Sequence, residues 1–110
     1  DNIYPRGLQD KGDKRNPLSE EILRMQLAWV DGLTNPVYFI PGNHDWAQGR
    51  KDGLQHVRNQ QLYVDSIGSS HVQFFPKSGC PGPVEIPLSD GVMLLIIDTQ
   101  WFLHSWEKPG

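Results

Sequence analysis

A chain of 110 residues is long enough for one small domain with a modest core. Apolar residues make up 37% and charged residues 21%, the balance of a globular chain and not of a disordered one. The net charge is −3 with no dense Lys/Arg block, which disfavours a nucleic-acid backbone as partner because that calls for a basic face.

Residues 1–15 lack hydrophobic periodicity, are rich in Gly, Asp, Lys and Arg, and read as a long loop. Asn16-Pro17 then offers a helix cap followed by Pro at the first helical position. Leu18, Ile22, Met25, Trp29 and Leu33 recur at helical spacing, which predicts a helix over Leu18–Val30 with Trp29 in the core. Glu20 and Glu21 fall in its first turn, and Asp31-Gly32 is its stop signal. Val37–Ile40, a short apolar run between Pro36 and Pro41, reads as a strand buried on both faces. A weaker helical pattern, Leu54, Val57, Leu62, Val64 and Ile67, covers residues 50–67. His71–Phe75 alternates like a strand, and Val84–Ile86 is bounded by prolines like a short edge strand. Asp90-Gly91 predicts a hairpin turn into an apolar strand over Val92–Asp98. The order is loop, α, β, α, β, β, β, an α/β arrangement with a helix-covered mixed sheet over one domain, residues 1–110. Val92–Ile97, the longest apolar run, is far too short to span a membrane, and no signal-peptide pattern is visible. The single cysteine, Cys80, sits in a Gly/Pro turn and reads as an inert thiol.

Two motifs carry chemistry. Gly42-Asn43-His44-Asp45 hangs on the end of the first predicted strand, and Asp1-Asn2-Ile3-Tyr4-Pro5 opens the chain. A carboxylate, a phenol and an amide oxygen are ligands suited to hard metal ions. Asp1 is the candidate bridging carboxylate, Tyr4 a phenolate ligand that a ferric ion favours, and Asn43 an amide ligand that adds no negative charge. Asp1 and Tyr4 converge only if the chain turns after Asp1, since an extended strand alternates its side chains. His44 is the candidate general acid for a leaving oxygen.

These residues resemble the calcineurin-like metallophosphoesterase superfamily, and the Asp-x-x-Tyr spacing resembles its purple acid phosphatase branch. The resemblance implies a partial αββα sandwich and metal-dependent hydrolysis of phosphoesters by a metal-bound hydroxide in line with the leaving group. It implies two di- or trivalent ions (Fe, Mn or Zn), with Asp1 bridging both, Tyr4 on one and Asn43 on the other. His44 becomes the acid that contacts the phosphate, and Asp45 a supporting residue behind the ligands. Substrates are then small phosphoesters or phosphoproteins, and the branch leans towards an extracytoplasmic or periplasmic setting. The superfamily's upstream Asp motif and its two later histidine motifs have no counterpart here, and His104 matches neither. We therefore expect an active enzyme in the parent protein, and no complete two-metal site in this 110-residue piece alone.

Plainer readings stand beside these. Asn43-His44-Asp45 also suits an Asx-type turn, and Tyr4 an aromatic packed under its own loop. Asp98 is either a site residue at a strand end or a cap on the next turn, and Trp46 either a pocket wall or loop packing. His56 and His71 read as solvent-facing or local caps. The Arg6, Lys11, Lys14 and Arg15 cluster could reach a substrate phosphate but reads as a solvated face. A non-catalytic module that retains part of the motif is the alternative function. A carbohydrate- or protein-binding piece using Trp46, Trp101 and Trp106 is a third, with no spacing that makes them a platform.

Overall fold

The computed structural model describes all 110 residues and measures 45 × 32 × 18 Å. The short dimension leaves room for about two packed layers of secondary structure. Two helices, α1 (Asn16–Asp31) and α2 (Gly53–Ile67), flank the strand β1 (Val37–Phe39) in sequence. β2 (Val72–Phe74) pairs parallel with β1 in the register Val37↔Val72 and Phe39↔Phe74, so β1, α2 and β2 form one β-α-β unit. The remaining strands, β3 (Val84–Ser89) and β4 (Val92–Ile96), form a separate antiparallel hairpin around Asp90-Gly91, with an irregularity between Pro87 and Ser89. A single turn of helix, α3 (Gln100–Leu103), follows. The architecture is α/β with parallel pairing first and antiparallel pairing later, in two small sheets that do not join. No helix is long and apolar enough to cross a membrane.

The core gathers Leu23 and Leu27 from α1, Leu54, Val57 and Val64 from α2, Phe39, Val72 and Phe74 from the parallel pair, and Trp46. It also takes Ile3 and Leu8 from the segment expected to be a plain loop. That segment is irregular, yet it is pinned as firmly as a strand.

Polar bonds explain why α1 turns a different face inward. Asn16 Nδ2 donates to the Gln9 carbonyl at 2.7 Å, Ser19 Oγ donates to Gln9 Oε1 at 2.7 Å, and Gln26 Nε2 donates to the Asn2 carbonyl at 2.7 Å. These anchors share a face with Leu23 and Leu27, and that face is buried. Most of the stripe expected in the core lies outside: Trp29 is 85% exposed, Leu18 69% and Met25 60%, whereas Ile22 packs half-buried against the core. Asn16 is spent on Gln9 and caps nothing, so the helix starts two residues earlier than Leu18, and Glu20 and Glu21 fall beyond its first turn. Gly32 closes the helix at φ −77° and never uses the left-handed conformation open to glycine.

Similar corrections apply elsewhere. In α2 the buried positions are Leu54, His56, Val57, Gln60 and Val64, whereas Leu62 and Ile67 are exposed. β1 is covered on one side only: Phe39 is buried, Val37 and Tyr38 are half-buried and Ile40 is exposed. β2 alternates as expected, with Val72 and Phe74 inward and Gln73 outward. β3 runs through Pro87 to Ser89, longer than the expected edge strand.

Candidate functional site

β1 ends at Phe39, and the chain then turns through Gly42-Asn43-His44-Asp45. Asp45 organises this turn from beneath. Its carboxylate is fully buried and accepts from the backbone N–H of Asn2 (2.9 and 3.1 Å), Ile3 (3.1 Å) and Gly42 (2.8 Å). Three N–H groups aimed at one carboxylate replace the water it has lost. The 1–4 segment is thereby fastened against the turn, and the two motifs, 42–43 residues apart in sequence, become neighbours.

Asp1 Oδ1 accepts from the His44 backbone N–H at 3.0 Å, and Asp1 Oδ2 accepts from the Tyr4 hydroxyl at 3.2 Å. Asp1 and Tyr4 do converge, because the chain turns over residues 3–6. The Asn43 amide lies against the Asp1 carboxylate, and its NH2 donates to the two carboxylate oxygens at 3.2 and 3.3 Å. Gly42 makes the approach possible, since a Cβ there would run into Asp1 Oδ1.

His44 stands beside this group. Its ring lies 4.0 Å from the Tyr4 ring, tilted by 36°, and its Nδ1 is 2.7 Å from the Pro5 carbonyl. A carbonyl only accepts, so Nδ1 carries a proton and donates it to Pro5. In the neutral ring Nε2 is then the lone-pair nitrogen. Gln48 Nε2 lies 3.4 Å from Nδ1, but both nitrogens carry protons in this tautomer, so the two do not bond. Pro5 carries no motif signature, so nothing in the sequence alone marks its carbonyl as the partner of His44.

Asp1, Tyr4, Asn43 and His44 are therefore brought together. As a metal centre the group is partial: carboxylate, phenol and amide oxygens suit part of one hard ion's shell. Nowhere do three His, Cys, Asp or Glu side chains converge, so two ions would need ligands beyond this cluster.

The other candidates lie apart. Trp46 is fully buried and donates from Nε1 to Asp98 Oδ2 at 2.6 Å, so it packs the core and walls no pocket. Asp98 is buried and also accepts from the N–H groups of Gln100 (3.0 Å) and Trp101 (3.3 Å), which makes it the cap on α3. Burial pushes its carboxyl above the usual range, against the pull of the Trp46 hydrogen bond. His104 is 1% exposed, packs at 4.7 Å on the Trp46 ring and has no partner on either nitrogen. Burial lowers its pKa, and Lys108 adds to the effect. His56, expected to face solvent or to cap local structure, is buried, with Nδ1 2.5 Å from the Arg6 carbonyl and Nε2 3.2 Å from Asp52 one turn before it. His71 is a local cap as expected, its Nε2 3.3 Å from the Val30 carbonyl at the end of α1. Cys80 is exposed and free.

The larger concavities avoid the cluster. The groove of about 520 Å³ lined by Leu8, Asn59 and Tyr63 contains none of the four residues. Only Tyr4 lines a cavity at all. No family model, curated protein or solved structure matches this chain.

Proposed function

We propose that this chain carries part of the active site of a metal-dependent phosphoesterase related to the calcineurin-like superfamily. The observation that carries the reading is the meeting of the two motifs in one corner, where the Asn43 amide, the Asp1 carboxylate, the Tyr4 hydroxyl and the His44 ring are neighbours. Asp1, Tyr4 and Asn43 would hold the ions, and further ligands would complete the shells. When bound, such ions neutralise phosphoryl charge and lower the pKa of water.

The chain's own residues supply the rest. The Pro5 carbonyl fixes the His44 tautomer and ring orientation. In its protonated form His44 can give the Nε2 proton to the leaving oxygen, while Nδ1–H keeps its bond to Pro5. Asp45 contributes no ligand; it holds the backbone on which Asp1 and Asn43 face each other. Under the same reading the helix layer over β1 and β2 is one flank of an αββα sandwich. The exposed Leu95 and Ile97 would then lie where a second layer packs.

The test uses the full-length protein and an aryl phosphate. Hydrolysis should require added metal and stop on chelation. His44→Ala should lower turnover by about two to four orders of magnitude with metal content unchanged. Loss of the metal itself in His44→Ala would refute the role given to His44.

A further inference from the structure

Tyr4 and Pro5 also form one side of a cavity of about 340 Å³, whose other walls include Arg6, Gln9, Lys14 and Arg15. We propose that this cavity is a subsite for a second anionic group, so that the preferred substrates are small organic phosphates bearing two phosphate groups; this rests on the phosphoesterase reading above.

Charge makes the first argument. Three cations line the cavity and no carboxylate does, on a chain whose net charge is −3. Arg15 is committed to Asp13, donating from Nε at 3.0 Å and from Nη2 at 2.7 Å. Lys11, the fourth cation of this stretch, is paired with Glu20. The side chains of Arg6 and Lys14 have neither an ion-pair nor a hydrogen-bond partner. A guanidinium fork matches two phosphate oxygens, and an ammonium adds a point charge.

Rigidity makes the second. The Arg6 carbonyl is tied to His56, so the backbone bearing the guanidinium is fixed. Gln9, almost fully buried, has its oxygen on Ser19 Oγ at 2.7 Å and its nitrogen on the Gly7 carbonyl at 3.0 Å, and cannot compete for the anion. Leu18 gives the cavity an apolar wall for the organic part of a substrate. Continuity makes the third. Tyr4 joins the cavity to the cluster, because its hydroxyl donates to Asp1 while its residue lines the cavity. A merely solvated basic face would be convex and would have no such link.

The test begins with the metal-free chain, titrated calorimetrically with inorganic pyrophosphate and with orthophosphate. Pyrophosphate should bind more tightly. The double substitution Arg6→Gln, Lys14→Gln should weaken it about tenfold, the scale of a lost charged hydrogen bond. Arg6→Lys with Lys14→Arg should retain most of the affinity. Arg50→Gln with Lys51→Gln, an exposed basic pair elsewhere, should change nothing. Undiminished affinity in the Arg6/Lys14 variant, with an unchanged melting curve, overturns the subsite. The second arm compares kcat/KM of the metal-loaded full-length protein on phenyl phosphate and on 1,4-phenylene bisphosphate. The preference for the bisphosphate should vanish in the same variant. Hydrolysis without that dependence sinks the subsite alone. Pyrophosphate binding that depends on Arg6 and Lys14 in a protein that hydrolyses no phosphoester sinks the phosphoesterase reading and leaves the anion site standing.

Discussion

Asp45 shows how one buried carboxylate can bring two distant segments of a chain together. Its two oxygens collect the N–H groups of Asn2, Ile3 and Gly42 in a place without water. Replacing one oxygen by an amide NH2 would turn a donor towards donors. Asp45→Asn is therefore expected to cost about 3 kcal/mol of stability, the size of broken buried charged hydrogen bonds, measured by urea denaturation. A loss within about 0.5 kcal/mol, typical of surface changes, would mean that the clamp contributes little. Asp1, Asn43 and His44 were legible because short motifs name their donors outright. Pro5 was not, because a backbone carbonyl leaves no mark in a sequence.

At the scale of elements, the helix α1 was legible in extent but not in orientation. Apolar spacing pointed to Leu18, Ile22, Met25 and Trp29, yet the side facing the core was chosen by Asn16, Ser19 and Gln26 bonding to the N-terminal segment. Periodicity counts apolar residues and is blind to polar ones that find partners. The two stripes make opposite predictions. Leu23→Ala should cost about 2–5 kcal/mol, whereas Trp29→Lys should stay within about 0.5 kcal/mol, both read from the denaturation midpoint. Equal losses would show that Trp29 is covered in solution. The strands were legible in position and pairing sense, but not in their failure to join, because local pattern says nothing about which sheet a strand enters.

For the whole molecule, pH is the natural probe of Asp98 and His104, two buried groups whose pKa values burial shifts. His104 has a folded pKa below its ordinary value of 6.5, so its contribution is fully present above 6.5 and is lost as pH falls from there towards the folded pKa. Asp98 has a folded pKa above its ordinary 3.8, so its contribution is greatest below 3.8 and declines as pH rises through the folded value. Thermal midpoints should thus drop on acidification just below 6.5, and His104→Phe should flatten that drop; an unchanged slope would clear His104. Neither group was legible as buried, since the packing of His104 on Trp46 and the bond from Trp46 to Asp98 are long-range events. The basic cavity escaped for a related reason: charge in a loop is visible in sequence, but curvature is not. The clamp between residues 2–3 and Asp45 has one more consequence, for the order of folding. Its bonds close a loop of more than forty residues, so their closure carries an entropic cost that local helix and turn contacts do not. The corner that gathers Asp1, Tyr4, Asn43 and His44 is then expected to assemble late and to open early. Amide hydrogens of Asn2 and Ile3 would exchange through that opening alone, well before those of the core strands, and each ligand that seats at the corner would slow them.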